Sequence, residues 1–168
     1  MLYIHFEGRI KEILITSGGE NVAPIPLENA VKHCLPCISN AILIGDRQKF
    51  LSVFLTFKVE VDKETDLPTD KLTKDGILWC QSVGSTATKV SEILGDSEKG
   101  GSINSAIQKG IDDANTKAAS RAAQIKKWTI LPNDISIKGG ELGPTLKLKR
   151  HSFNIKYKKE IEAIYECN

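Results

Sequence analysis

Hydrophobic and polar positions along the chain switch between a strand-like and a helix-like period. "RIKEILIT" at 9–16 is rich in β-branched residues and predicts a strand, although Ile10, Ile13, Leu14 and Ile15 crowd too closely for clean alternation. Gly18 and Gly19 stop it. Leu27, Ala30, Val31, Cys34 and Leu35 then recur at helical spacing. Pro26 suits the first turn of that helix, Glu28 falls in the same turn near the positive end of the dipole, and Pro36 ends it. "SNAILIG" and "FLSVFLTFKV", joined through "DRQK", predict a hairpin. The second run is apolar on both sides, with Leu51, Val53, Leu55 and Phe57 opposed to Phe50 and Phe54, as in an inner strand covered on both faces.

Residues 60–75 are polar, contain Pro68 and read as a loop. Helical patterns follow in "LTKDGILWCQSVG", in "KVSEILGD" up to the breaker "DSEKGGS", and over 103–119 with Ile103, Ala106, Ile107, Ile111 and Ala114. "KKWTILP" supplies a last core strand near 127–131. A glycine-rich loop and a final helix over 153–166, with Phe153, Tyr157, Ile161, Ile164 and Tyr165, complete the chain. No internal repeat or low-complexity tract is present. The sum is one α+β domain over 1–168: about three core strands, helices on both faces, an N-terminal hairpin and a helical insertion at 60–120.

Composition narrows the classes. The 168 residues hold 40% hydrophobic and 26% charged positions, ordinary for a globular domain. A net charge of +2 gives no global electrostatic case for nucleic acid or membrane. No run of ~18 apolar residues exists, and "LYIHF" after Met1 lacks the organisation of a secretory leader, so a cytoplasmic location is expected. Cys34, Cys37, Cys80 and Cys167 are too scattered for a disulfide scaffold. "CLPC" at 34–37 follows a helix and precedes a strand, the opposite end from a redox Cys-x-x-Cys. With His33 nearby but no second ligand pair, zinc is not supported; structural cysteines and no metal site are expected.

Two segments carry candidate chemistry. "GRIKEILITSGGENVAPIPLE", residues 8–28, puts far more backbone permissiveness before a helix than chain reversal needs. "GGELGPTLKLKR", residues 139–150, has Gly139, Gly140 and Gly143, then Lys147, Lys149 and Arg150; it lies in a loop over 136–150. In an extended chain Lys147 and Lys149 share one face, and Leu146 and Leu148 the other. Such a mobile arm suits anion capture. The competing reading is a solvated basic edge strand whose lysines deter aggregation. The Gly-x4-Gly-Lys-[Ser/Thr] phosphate loop is absent. Both segments place cations beside glycines: Arg9 and Lys11 in the first, Lys147 and Arg150 in the second.

The pair resembles the C-terminal domain of the adenylate-forming enzymes, which include acyl-CoA synthetases, peptide-synthetase adenylation domains and luciferases. "GGENVAPIPLENAV", "ISNAILIGDRQKFLS" and "GGELGPTLKLKR" are most similar to bubblegum-type long-chain fatty acid–CoA ligases. The likeness spans nearly the whole chain, with three separated motifs in order. It implies a mobile lid whose Lys147 reaches the α-phosphate and carboxylate during adenylation, where a placed ammonium stabilises developing charge. It also implies that Arg9 contacts ATP or the adenylate, that Lys11 is the hinge, and that Gly18, Gly19, Glu20 and Asn21 face the CoA tunnel. Glu20 and Asn21 would serve mainly to fix the loop or line the tunnel's edge.

The family's phosphate loop, adenine-binding acidic–aromatic motif and ribose-gripping Thr-Gly-Asp segment are missing from these residues. The resemblance therefore implies a lid that is inactive alone. Its partner would be a large N-terminal domain binding long-chain fatty acid, ATP with Mg2+, and CoA. Peripheral association with the endoplasmic reticulum membrane would suit a lipid substrate, yet Lys156, Lys158 and Lys159 of "YKKEIEAIYE" are balanced by acids and read as a solvated face. Two other classes fit less well. One is an autonomous anion- or nucleic-acid-binding module using Lys126, Lys127, Lys138, Lys147, Lys149 and Arg150, which lacks the usual charge and surface aromatics. The other is a docking domain that uses the 60–120 insertion.

Overall fold

The computed structural model describes residues 12–166. Its first pairing is minimal: β1 (Leu14–Ile15) runs antiparallel to β2 (Asn21–Val22). Within the described residues the strand expected over 9–16 shrinks to two positions, because Thr16 already turns the chain. The Thr16 N–H donates to the Glu20 carbonyl, and the Thr16 carbonyl accepts from Gly19. Helix α1 (Pro24–Cys34) begins on Pro24, two residues before the expected Pro26. Glu28 therefore lies beyond the first turn, which holds no acidic residue, and its expected role at the helix dipole is not realised.

The hairpin of β3 (Ile38–Ile44) and β4 (Leu51–Phe57) is antiparallel, with Ala41 opposite Leu55 and Leu43 opposite Val53. All seven residues of β4 are buried, as its two-sided apolar pattern requires. The segment read as a loop over 60–75 instead contains β5 (Val59–Val61) and β6 (Pro68–Leu72), an antiparallel pair. Only Val59 and Leu72 of these two strands are buried, so no hydrophobic alternation announced them. Pro68 heads β6, a position where a missing N–H is tolerated. The Asp62 carboxylate accepts the N–H groups of Glu64 and Thr65 to close the turn.

Helices α2 (Lys74–Ser82), α3 (Val90–Glu98) and α4 (Ser102–Asn115) follow. The expected breaker at 96–102 acts late: α3 runs through Glu98 before Gly100 turns the chain at φ +70°. β7 (Ile125–Ile130) then lies parallel to β4, giving the order β3-β4-β7. Parallel neighbours need a long crossover, and residues 58–124 supply it. The helix expected over 153–166 is two, α5 (Arg150–Lys156) and α6 (Lys158–Glu166), interrupted at Tyr157.

The sheet divides the core. Leu43, Val53 and Leu55 pack with Val31 of α1, with Leu35 just beyond its end, and with Ile107 and Ile111 of α4. Ile42, Ile44 and Phe54 pack on the other side with Leu131, Phe153 and Ile161. Two polar residues of β4 point toward this second face, and both are satisfied. Ser52 Oγ lies 2.9 Å from the Tyr165 hydroxyl, and Thr56 Oγ1 donates to Asp134 at 2.6 Å. Gly110 lets α4 approach α1, since a Cβ there would sit 2.5 Å from Leu35 Cδ2. Gly110→Val is accordingly expected to cost about 1–3 kcal/mol of stability, measurable by denaturant unfolding.

Candidate functional site: a lysine-tipped hairpin

Residues 142–148 form a tight hairpin rather than an extended arm. Leu142 pairs with Leu148 across its base. The Gly143 N–H donates to the Lys147 carbonyl at 2.8 Å, and the Leu146 N–H donates to the Gly143 carbonyl at 2.9 Å. Leu146 takes the left-handed region at φ +63°, an uncommon state for a leucine. The expected alternation of leucines and lysines is thereby broken: Leu146 is 68% exposed, while Leu148 packs against the second core. Lys147 stands exposed at the tip, and its side-chain ammonium forms no hydrogen bond or ion pair with any described residue. It borders a groove of about 490 Å³ between α1 and the hairpin, lined also by Glu12, Ile25, Lys32, Ile42 and Leu148.

An ion pair to a buried carboxylate holds each leg. On the C-terminal leg, Arg150 Nη2 donates to both carboxylate oxygens of Glu28 at 2.8 and 3.0 Å, and Nη1 donates to the Leu43 carbonyl at 3.3 Å. The Leu43 N–H returns a bond to Glu28 Oε1 at 2.8 Å, which ties α1, β3 and the hairpin together. Burial raises the Glu28 carboxyl above its ordinary value, and the Arg150 guanidinium and the Leu43 N–H oppose that rise. On the N-terminal leg, Glu141 is buried to 2% and accepts Lys156 Nζ at 2.6 Å and the Tyr157 hydroxyl at 3.0 Å.

Although burial pushes the Glu141 carboxyl up, the hydrogen bonds from Lys156 and the Ser136 N–H prevail and hold it below its ordinary value of 4.5. The sign follows directly. Stability from this depressed carboxyl is complete above 4.5 and is lost as the pH falls through the lower folded value. Thermal unfolding of the chain and of Glu141→Gln is expected to differ at neutral pH and to converge in acid.

The glycines of this segment shape structure. Gly140 supplies φ +90°, and a Cβ on Gly139 would lie 2.3 Å from Glu141 Oε2. Lys156, read from sequence as part of a solvated face, is committed to Glu141. Of the six cations considered for an anion-binding patch, Arg150 is paired with Glu28. Lys127 donates to the Ile164 carbonyl, and Lys138 donates to the Thr65 carbonyl.

The first glycine loop occupies a different surface. Gly18, Gly19 and Asn21 are exposed, and none lines the groove beside Lys147. Gly19 is required for its φ of +81°, since an added Cβ there would meet nothing. The loop is held by Ser17 N–H to the Gln48 carbonyl, by Glu20 N–H to Thr16 Oγ1 at 3.2 Å, and by Glu20 Oε1 accepting Ser120 Oγ at 2.7 Å. Arg9 and Lys11 lie outside the described residues. Cys37 and Cys80 are buried, and burial pushes both thiols up, that of Cys80 to about 11.

Sequence reasoning missed Glu141, Lys156 and Tyr157 as supports of the hairpin. An acid inside a Gly-Gly-x-Leu-Gly run was the available signal. It identifies a candidate only once the facing helix is placed.

A mixed three-stranded sheet between helical layers is a fold shared with parts of solved adenylation domains. The adenylation domain of a carboxylate reductase from Mycobacterium chelonae matches 94% of this chain at TM-score 0.64 and 18% identity. That of Segniliparus rugosus, in complex with AMP and a carboxylic acid, matches at TM-score 0.60 and 18% identity. The chain covers 20% of each. Residues 11–97 match the model of the AMP-binding enzyme C-terminal domain. The chain belongs to that family. It is 51% identical over 98% of its length to the mouse (Mus musculus) long-chain-fatty-acid–CoA ligase ACSBG1. It is 49% identical over the same share to ACSBG2 of Xenopus laevis. It spans 22% of the length of either relative.

Proposed function

We propose that this chain is the C-terminal lid of a long-chain fatty acid–CoA ligase, which joins fatty acid and CoA through an acyl-adenylate at the expense of ATP. The observation that carries the reading is Lys147: an ammonium with no partner among the described residues, on the exposed tip of a hairpin whose two legs are anchored by buried carboxylates. A carboxylate attacking ATP gathers negative charge, and a positioned cation lowers that barrier. Lys147 acts at the α-phosphate and carboxylate, and Arg9 contacts the nucleotide. Lys11 is the hinge, and Gly18, Gly19, Glu20 and Asn21 border the path of the CoA thiol arm.

The placement of the two loops supports a division of labour. Adenylation uses the Lys147 hairpin; thioester formation uses the surface around Gly19, reached by rotation of the lid. ATP, CoA and fatty acid are substrates shared with an N-terminal domain. Mg2+ enters with ATP, bound through the phosphates, and the N-terminal domain supplies most of its protein ligands. No described helix is long and apolar enough to cross a membrane. A cytoplasmic location with peripheral contact at the endoplasmic reticulum membrane belongs to the same proposal, and the lipid nature of the substrate is what supports it.

Deletion of this domain from the complete ligase tests the reading. Adenylate formation and thioester formation from supplied adenylate are both expected to fail. A truncated enzyme that retains either step at its full rate contradicts it.

A further inference from the structure

We propose that Glu141 is a positioning residue for Lys147, setting where the ammonium stands during adenylation; the inference rests on the role proposed for Lys147. Two segments converge on this one side chain. Lys156 and Tyr157, at the α5–α6 junction, donate to Oε1 at 2.6 and 3.0 Å, and the Ser136 N–H donates to Oε2 at 3.3 Å. The Glu141 backbone reaches across the hairpin as well, since its carbonyl accepts the Lys149 N–H at 2.8 Å. Lys156 also donates to the Gly139 carbonyl at 3.1 Å.

The tip residues Pro144, Thr145, Leu146 and Lys147 are exposed, so the base of the hairpin determines where they stand. A buried carboxylate costs desolvation that an apolar residue would avoid. What it adds is directional attachment to two segments at once. Gly139 fits the same design, because any side chain there would displace the carboxylate. Burial and the neighbouring Glu141 keep the Tyr157 hydroxyl protonated and able to donate. Catalytic geometry is steep in position, so release of this base lowers the adenylation rate without removing any group that touches ATP.

Two measurements on Glu141→Gln, Lys156→Met and Tyr157→Phe test the assignment. In the 168-residue chain, amide exchange at Gly143, Leu146 and Lys149 is expected to rise roughly tenfold or more. The amides of Val53 and Leu55 in β4 should stay unchanged. In the complete ligase the same variants should slow adenylation roughly ten- to hundredfold while thioester formation from supplied adenylate stays within about twofold. Exchange that rises uniformly through β4 assigns Glu141 to bulk stability and overturns the proposal. So does a loosened hairpin with normal adenylation. Should Glu141→Gln fail to fold, the two milder variants carry the same test with the same outcomes. Lys147→Ala, run in parallel, separates the failures: if it leaves adenylation intact, the role of Lys147 itself is wrong and the inference falls with it.

Discussion

Lys147→Ala in the complete ligase is expected to slow adenylate formation by about 100- to 1,000-fold, the scale lost when one preorganised charge-stabilising donor is removed. Thioester formation from supplied acyl-adenylate should change little, because the proposed thioester-forming surface around Gly19 lies apart from the groove beside Lys147. The side chain is exposed and makes no described contact, so its loss leaves folding nearly untouched, within about 0.5 kcal/mol. A rate defect without a stability defect is the signature of a group acting on substrate. Rapid-quench measurement of the two half-reactions, alongside thermal unfolding, separates the quantities. Equal slowing of both steps would remove Lys147 from its assigned place.

The second large effect falls on stability. Glu28→Ala strands the Arg150 guanidinium, whose side chain is only 18% exposed, and leaves the Leu43 N–H without its acceptor. Breaking a buried ion pair on one side costs about 3–5 kcal/mol, a large share of a small domain's total. The double replacement Glu28→Leu with Arg150→Met should lose less than Glu28→Ala alone, since no buried charge is then left unpaired. Urea unfolding of the 168-residue chain measures both. A single variant as stable as the parent would mean that the pair does not tie α1 to the hairpin.

How far the sequence disclosed this depended on the kind of signal each element carries. β4 was legible because a run apolar on both sides has one common explanation, and all seven of its residues are buried. β5 and β6 were hidden: with only Val59 and Leu72 buried, their pattern matches a polar loop, and the pairing depends on a turn held by Asp62. The break between α5 and α6 at Tyr157 was hidden for a similar reason, since hydrophobic spacing continues across it while the backbone departs from helix.

At the candidate site, Lys147 was found through the wording of a motif, whereas its supports were not. Glu28 and Arg150 are 122 positions apart and meet at 2.8 Å, a coincidence that single-chain patterning cannot express. The glycines at 139–143 read as freedom of movement. Folded, they admit a buried carboxylate, a left-handed turn and a cross-hairpin hydrogen bond.

Chemical rescue tests the central claim most directly. Lys147→Cys in the complete ligase should lose adenylation. Alkylation with 2-bromoethylamine, which rebuilds an ammonium at nearly the lysine length, should then restore most of it, while alkylation with iodoacetamide should not. Stoichiometric aminoethylation at residue 147 with no recovery of adenylation would contradict a catalytic ammonium at this tip.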